Sequence, residues 1–303
     1  MTGNEQIELK DRVIVITGAG RGIGRAAAHA MARAGGAIVV NDRDPDAAET
    51  VVDEIRASGG RATPCVAAIG TAEAADKCIA AALNKFGRLD VMACNAGILR
   101  DRMVWNLSDE DFDAVIHTHL RGTFACGRAA ARHFRQSGEG GRLILVSSIA
   151  GQRGNLGQTS YAAAKAGIAA LARTWALELA KANVTVNAIV PSAMTAMTNT
   201  IPAFAHLADI VARGEPLPNN IRQDFGLGDP DDVAPLFVYL ASERSSALTG
   251  QCIGIGGDRL SIWSHPAEAA FELHQGGWSL NALTQALEGP LADARQSIGI
   301  DFN

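Results

Sequence analysis

Short, wholly apolar runs alternate with longer alanine-rich stretches along most of the chain. The runs are rich in Val and Ile, whereas the stretches between them have helical composition, so strands and helices should alternate. The runs occupy residues 13–16, 37–40, 62–67, 91–94, 143–146, 184–189 and 252–255. Because they are apolar throughout, helices should cover both faces of each strand, as in a parallel sheet. The pattern predicts an α/β fold with a doubly wound, parallel, seven-stranded sheet.

The same pattern predicts one domain and an extension. No Ser-, Gly- or Pro-rich linker interrupts residues 10–257, so residues 1–257 should form a single domain. Within it, residues 190–229 depart from the regular alternation. Residues 258–303 form a C-terminal extension, for which the sequence predicts one helix before Gly276 and another that begins after Ser279 and ends at Gly289.

Composition and charge narrow the functional classes. The formal net charge of −5 provides no basic field for nucleic acid. No apolar run approaches the roughly 18 residues of a membrane span, so we expect a soluble, cytoplasmic protein without a membrane partner. The five cysteines lie far apart and form no CxxC pair, which favours reduced core thiols over a metal or redox site. The 32 glycines exceed the roughly 21 that average usage predicts, so glycine should serve special backbone positions.

A glycine-rich turn follows the first predicted strand. Residues 17–24 read Thr-Gly-Ala-Gly-Arg-Gly-Ile-Gly and lead into an alanine-rich helical stretch. The spacing of Gly18, Gly22 and Gly24 differs from G-x-G-x-x-G, but it meets the same need for a tight turn and a helix N-terminus directed at a pyrophosphate.

The second predicted strand ends close to Asp42, eighteen residues past Gly24. A carboxylate there is placed to bind the adenosine ribose hydroxyls and to repel a 2′-phosphate, which favours NAD over NADP. Arg21 and Arg43 favour NADP instead, since either guanidinium is able to pair with a phosphate.

Two further motifs follow in order: Asn95-Ala96-Gly97 after the fourth strand and Tyr161-x-x-x-Lys165 after the fifth. With the glycine turn, they resemble the short-chain dehydrogenase/reductase family over about residues 8–257. The resemblance implies a Rossmann fold and an NAD(P)-dependent oxidoreductase that acts on CH–OH groups. The cofactor contacts implied for this chain are Gly18, Arg21, Gly22, Ile23, Gly24, Asp42, Asn95, Ala96, Gly97, Tyr161, Lys165 and Pro191.

Tyr161 and Lys165 are four residues apart, so they share one face of a helix. Ser148 lies just past the fifth strand, at the edge of the sheet where ligands bind. The resemblance implies that Tyr161 acts as the base, that Ser148 holds the substrate oxygen and that Lys165 holds the nicotinamide ribose. A tyrosine with its ordinary pKa of about 10 is a poor base near pH 7, so we expect the charge of Lys165 to lower that pKa.

His119 stands where the family commonly has a catalytic Asn. Its surroundings, His119-Leu120-Arg121-Gly122-Thr123-Phe124, together with residues 97–101 and 191–198, are similar to the dehydrogenase domain of the peroxisomal multifunctional β-oxidation enzymes, which oxidise (3R)-hydroxyacyl-CoA. Two interpretations of His119 stay open. It either continues a proton relay from Lys165 to water by titrating near neutrality, or it is a structural histidine with satisfied hydrogen bonds.

Apolar residues at helical spacing follow the sixth strand and predict an amphipathic substrate lid within residues 190–229, although core packing explains them equally well. They are Met194, Met197, Ile201, Phe204, Leu207, Ala208 and Val211.

Arginines that would hold a CoA phosphate are Arg100, Arg102, Arg153 and Arg213. In the extension, Trp263, Phe271 and Trp278 should be buried, either over the pocket or against a partner subunit.

The leading interpretation is an NAD-dependent dehydrogenase of a 3-hydroxyacyl-CoA with a long or steroid-like acyl group. One alternative is an NADPH-dependent 3-oxoacyl reductase. Another, of a different class, is a catalytically weak cofactor-binding scaffold or sensor. The family resemblance implies a homodimer or homotetramer formed through the long helices before Gln136 and Lys181.

Overall fold

The computed structural model describes residues 8–195, 205–213 and 215–299. Their central sheet has eight strands in the order β3-β2-β1-β4-β5-β6-β7-β8. The strands are β1 (Val13–Thr17), β2 (Ala37–Asp42), β3 (Arg61–Val66), β4 (Val91–Cys94), β5 (Gly141–Val146), β6 (Val184–Pro191), β7 (Cys252–Gly256) and β8 (Arg259–Trp263). The first seven pair in parallel, which confirms the predicted doubly wound sheet.

Helices cover both faces of the sheet. They are α1 (Gly22–Arg33), α2 (Pro45–Ala57), α3 (Ala72–Phe86), α4 (Asp109–Ile116), α5 (Gly122–Ser137), α6 (Ile149–Arg153), α7 (Thr159–Glu178), α8 (Ala205–Ala212), α9 (Asn219–Gln223), α10 (Pro230–Ala241) and α11 (Leu280–Glu288). The helices α3, α5 and α7 pack on one face, and α1, α2 and α10 on the other. The five cysteines are buried and free, as expected of core thiols.

The strand order reverses between β1 and β4, which are neighbours in the sheet. Open parallel sheets bind ligands outside the carboxyl ends of their strands at such a switch point. The glycine turn follows β1 and the Asn95-Ala96-Gly97 segment follows β4, so the topology brings these two motifs together.

The eighth strand corrects the predicted sheet and domain boundary. β8 pairs antiparallel with β7, and Gly256 faces Arg259 across a two-residue turn in which Gly257 has φ +50°. A boundary at residue 257 therefore cuts through a β-hairpin. The extension also lacks the predicted helix before Gly276, since residues 264–279 carry no helix. The second predicted helix is confirmed as α11, where the Ser279 hydroxyl accepts the Ala282 N–H at 3.2 Å.

The predicted lid is described in part. Met197, Ile201 and Phe204 lie outside the described residues, whereas α8 and α9 fall within the lid. Met194 and Leu207 are buried together with Leu217 and Leu227 in a small apolar cluster of their own. Across the described ranges, no helix combines the length and the hydrophobicity that crossing a membrane requires.

Candidate active site

The glycine turn between β1 and α1 is shaped by close backbone packing. Gly18 has φ +62°, and a Cβ there would lie 2.8 Å from the Cα of Ala96. A Cβ on Gly24 would lie 2.2 Å from the carbonyl oxygen of Gly18. The Asn95 amide donates to the carbonyl oxygens of Thr17 and Gly18 at 3.0 and 3.1 Å, so Asn95 holds the turn against β4. The turn therefore presents bare backbone at a helix N-terminus, as a pyrophosphate requires.

The end of β2 supplies the predicted ribose-binding group. The Asp42 carboxylate is buried and accepts the backbone N–H groups of Gly20 and Asp44, each at 3.1 Å. Arg21 pairs with Asp44, and Arg43 is exposed. A carboxylate oxygen has lone pairs for more than one donor, so Asp42 retains the capacity to bind a ribose hydroxyl. The turn and this carboxylate together fit a nicotinamide dinucleotide.

Ser148 and Tyr161 meet at the carboxyl ends of the central strands. Ser148 is the N-cap of α6, where its hydroxyl accepts the Ala150 N–H at 3.2 Å. Tyr161 lies in the first turn of α7, and its hydroxyl forms a hydrogen bond with Ser148. Both residues line one cavity of about 560 Å³. The structure therefore places a serine and a tyrosine hydroxyl together at a cleft.

The pKa of Tyr161 differs from the sequence-based expectation. Burial raises this pKa above its ordinary value, the hydrogen bond from Ser148 opposes the rise, and the carboxylate of Asp101 adds to it. The expected lowering by Lys165 is therefore wrong for the protein as the structure describes it. The physical reason is that removing the phenol from water disfavours its anion.

Lys165 is buried one turn further along α7. Its ammonium donates to the carbonyl oxygen of Val146 at 2.6 Å, and its Nζ lies 5.5 Å from the centre of the Tyr161 ring. Burial lowers the pKa of Lys165 to about 7. The backbone of the same residue is fixed by the Ser147 hydroxyl, which donates to the Lys165 carbonyl at 2.8 Å. The amine is therefore held beneath the tyrosine in a state that changes charge near neutral pH.

His119 packs edge-on against Tyr161, with ring centres 5.2 Å apart. It lies in a single π-helical turn, His117–Arg121, between α4 and α5. Its Nε2 is 2.7 Å from the carbonyl oxygen of Ile98, and its buried Nδ1 has no hydrogen-bond partner among the described residues. Burial and the charge of Lys165 lower the His119 pKa to about 3. The expectation that His119 titrates near neutrality is therefore wrong, because the enclosed ring stays neutral.

The other predicted cofactor residues surround the same cleft. Ile23 and Pro191 line the cavity, and Ala96 packs on Gly18. Gly97 faces His119, since a Cβ at residue 97 would lie 2.3 Å from the Cε1 of that ring. The structure thus gathers the glycine turn, the post-β4 segment and the Ser148–Tyr161 pair around one space.

The predicted phosphate-binding arginines do not converge on the cavity. Arg100 pairs with Asp111, Arg102 donates to the carbonyl oxygen of Asp101, and Arg213 pairs with Glu215. Arg153 does line the cavity, but its guanidinium donates to Gly299 and Ser297 at 2.7 and 2.8 Å. The end of the extension therefore occupies this arginine at the cavity wall.

Sequence reasoning missed three cavity residues that belong to β8. Arg259, Ser261 and Trp263 line the cavity together with residues of α6. The expected burial of Trp263 over the pocket is confirmed in part, whereas Phe271 and Trp278 are exposed. The overlooked signal was the turn pair Gly257-Asp258 followed by alternating polar and apolar residues, which is typical of a hairpin.

A parallel α/β sheet with a glycine turn at its switch point, and a paired tyrosine and serine beside it, defines a nicotinamide-dependent oxidoreductase. A family model described as short chain dehydrogenase matches residues 12–205. The chain therefore belongs to the short-chain dehydrogenase family, whose members bind NAD(P) and act on CH–OH groups.

Relatives with several named activities match the chain. Hydroxyacyl-CoA dehydrogenase ChsB1 of Mycobacterium tuberculosis is 39% identical, over 96% of this chain and 92% of its own length. Peroxisomal multifunctional enzyme type 2 of Mus musculus is 41% identical over 77% of this chain, which spans 30% of that enzyme. The 3-oxoacyl-[acyl-carrier-protein] reductase FabG of Thermotoga maritima is 35% identical over 83% of this chain and 98% of its own length.

A solved structure supports the fold over nearly the whole chain. The crystal structure of a short chain dehydrogenase from Mycobacterium avium superposes with a TM-score of 0.82 at 36% identity. It covers 97% of this chain and 99% of that one. The likeness therefore reaches beyond the residues matched by the family model.

Proposed function

We propose that this protein is an NAD-dependent dehydrogenase of 3-hydroxyacyl-CoA esters with a large acyl group. The observation that carries the proposal is the hydrogen-bonded pair of Ser148 and Tyr161 on the wall of a mostly apolar cavity that also reaches Ile23 of the glycine turn. A hydroxyl-bearing carbon held at this pair would lie between the proton acceptor and the cofactor turn. The name of the relative ChsB1 supports the same substrate class.

The residues of the site have distinct tasks in this reaction. Tyr161 would take the proton from the substrate hydroxyl, and Ser148 would hold the oxygen through its hydrogen-bonding hydroxyl. When bound, the oxidised nicotinamide would accept the hydride and add a positive charge that favours the tyrosine anion. Lys165, held on Val146, would hold the nicotinamide ribose. Asn95 would keep the glycine turn in place.

NAD is the proposed cofactor because of Asp42. The carboxylate lies at the carboxyl end of β2 and is fixed by two backbone N–H groups, so it is placed to meet the adenosine ribose. A carboxylate at this place repels a 2′-phosphate. Arg21 is paired with Asp44, which weakens the case for Arg21 as a phosphate ligand.

An NADPH-dependent 3-oxoacyl reductase is the second candidate. Reduction of a ketone needs a protonated tyrosine that donates to the developing alkoxide, and burial holds Tyr161 in that form. The name of the Thermotoga maritima relative favours this direction. The two candidates differ in cofactor and direction but share every catalytic residue.

A two-way assay separates them. Hydroxyacyl-CoA esters of graded size would be assayed with NAD⁺ and NADP⁺, and the 3-oxoacyl esters with NADH and NADPH. We expect the highest kcat/KM with NAD⁺ or NADH and a large acyl group. In Asp42→Asn the preference for NAD over NADP should fall about tenfold or more, since the repelling charge is lost. A preference for NADPH in the parent chain would overturn the cofactor assignment, and no turnover of any CoA ester would overturn the substrate class.

The chain is also proposed to form a homodimer or homotetramer through α5 and α7. Both helices present apolar residues to solvent: Phe124 on α5 is 37% exposed and Leu177 on α7 is 82% exposed. Light scattering coupled to size exclusion tests the proposal. A monomer at micromolar concentration would overturn it.

A further inference from the structure

We propose that β8 is a substrate-recognition strand, on which Trp263 and Ser261 bind a hydrogen-bond acceptor oxygen carried by the acyl group away from the reacting carbon. This inference rests on the proposed function and specifies its substrate as an oxygenated, bulky hydroxyacyl-CoA. Such an acyl group carries a keto or hydroxyl oxygen on a ring or branch.

The alternation along β8 directs one set of side chains into the cavity. Arg259, Ser261 and Trp263 line the cavity, whereas Leu260 and Ile262 are 69% and 66% exposed. Successive side chains of a strand point to opposite faces, so the two sets separate cleanly. One strand of the extension thus contributes polar side chains to the cavity wall.

Gly254 on the neighbouring strand β7 leaves room for these polar groups. A Cβ at residue 254 would lie 2.4 Å from the Ser261 hydroxyl oxygen and 3.0 Å from the Trp263 Nε1. Gly254 itself lines the cavity. Both polar atoms therefore lie over a glycine that forms part of the substrate space, where a larger residue would displace them.

The indole N–H of Trp263 is a buried donor that needs a hydrogen-bond acceptor. Its Nε1 is buried and has no hydrogen-bond partner among the residues that the structure describes. Buried polar groups in proteins nearly always have a partner, and an indole N–H is only a donor. The missing partner is therefore an acceptor, and a ligand oxygen in this cavity supplies one.

The rest of the wall selects for apolar bulk. Leu99, Ile149, Val190, Phe225 and Ile255 line the same space. Arg259 is already engaged, since its guanidinium donates to the carbonyl oxygen of Asp224 at 2.8 Å. A buried donor without a partner discriminates between ligands, because a ligand without the matching acceptor leaves that donor unpaired. A plain alkyl chain fits the bulk but not the donor.

The test uses a matched pair of hydroxyacyl-CoA esters of similar size, one with a keto oxygen on the remote part of the acyl group and one without it. The parent chain should favour the oxygenated ester in kcat/KM by about tenfold or more, mainly through KM. Trp263→Phe leaves a smaller aromatic ring and removes the N–H donor, so this preference should collapse towards unity. Ser261→Ala should reduce it, and Ile262→Ala, on the outer face of the same strand, should leave activity and preference unchanged.

The outcomes separate this inference from the proposed function. Equal kcat/KM for both esters in the parent, or an unchanged ratio in Trp263→Phe, would overturn the role of β8 while leaving the dehydrogenase assignment intact. If the parent turns over neither ester, the proposed function fails. Calorimetric binding of the same pair to the parent and to Trp263→Phe then decides the role of β8: an oxygen-dependent difference in Kd that the variant loses supports it, and its absence overturns it.

Discussion

Burial moves Tyr161 and Lys165, one turn apart on α7, towards their neutral forms. The pKa of Tyr161 is raised and that of Lys165 is lowered to about 7. Both shifts have the same cause, since enclosure disfavours either charge. A reaction step that needs the charged form of either group therefore works against this burial. Each of the two residues leads to a separate prediction.

Tyr161→Phe should abolish turnover without unfolding the protein. The variant loses the hydroxyl that bonds to Ser148 and keeps the ring that packs on His119. Loss of a general acid–base group lowers kcat by about 10² to 10⁴. The cofactor Kd, measured by calorimetry, and the Tm should stay close to those of the parent. Tyr239→Phe is the matched control, because Tyr239 is the other of the two tyrosines in the chain. Full activity of Tyr161→Phe would end the assignment of Tyr161 as the proton acceptor.

Lys165→Met should change how stability depends on pH. The folded pKa of about 7 is below the ordinary 10.5, so between these values the unfolded chain binds more protons than the folded one. The free energy of unfolding contributed by Lys165 therefore rises with pH across this window, by up to about 1.4 kcal/mol per pH unit. The destabilisation is largest below pH 7 and vanishes above 10.5.

Urea unfolding at pH 7, 8 and 9 measures this effect. The free energy of unfolding of the parent minus that of Lys165→Met should rise with pH, because contributions from other groups cancel in the difference. A difference that stays flat over these three pH values would contradict the low pKa of Lys165.

His119→Ala should leave the shape of the pH–rate profile unchanged between pH 5 and 9. A ring with a pKa of about 3 does not change its charge in this range. The free energy of unfolding should nevertheless fall by about 2 to 4 kcal/mol, because the variant loses the bond to Ile98 and leaves a cavity beside Tyr161. Profiles of kcat and kcat/KM in three-component buffer provide the measurement. An inflection near neutrality that disappears in the variant would restore the titrating relay.

At the level of elements, the glycine turn depends on one close contact. In Gly24→Ala the added Cβ would clash with the Gly18 carbonyl and with the Asn95 amide nitrogen, 2.6 Å away. The turn would have to open, so we expect the cofactor Kd to rise tenfold or more, corresponding to about 1.4 kcal/mol. Gly138→Ala, at the C-cap of α5, is the control for backbone strain outside the turn: its φ is +72°, and its added Cβ meets nothing within 4 Å. Calorimetric titration with NAD measures both variants, and unchanged binding in Gly24→Ala would contradict the packing described for the turn.

The strands of the sheet differ in how well the sequence predicts them. Strands β1, β2, β4, β5, β6 and β7 are almost wholly buried, so their apolar runs are visible in the sequence without knowledge of the fold. β3, at the edge of the sheet, is only partly buried. β8 has one exposed face, and its Leu260 and Ile262 are separated by polar residues, so no continuous run marks it. Motif spacing placed Ser148, Tyr161 and Lys165 together. The pKa shifts of Tyr161 and His119 could not be predicted from the motifs. They depend on the packing of α7 against α4 and the π-helical turn, which lie far from α7 in the sequence.

At the scale of the whole molecule, the C-terminal extension has two unlike parts. β8 belongs to the sheet and to the cavity wall. Residues 264–279 carry neither helix nor strand, and their side chains are exposed. Beyond α11 the chain returns to the cavity, where the backbone N–H of Gly299 donates to the carbonyl oxygen of Arg153 at 2.9 Å. The extension is therefore tied to the domain at both ends and exposed between them.

Limited proteolysis should reveal this organisation. Chymotrypsin should cut first at Phe271 or Leu273, which are 67% and 86% exposed and lie in irregular backbone. The cut leaves β8 in the sheet, so the Tm of the nicked protein should match that of the intact chain within about 2 °C, because little buried surface is lost. The nicked protein should, however, lose the covalent tie to Ser297 and Gly299 and release the Arg153 guanidinium for other partners. First cleavage within residues 8–195, or a large fall in Tm after the cut, would show that the exposed segment is instead integral to the fold.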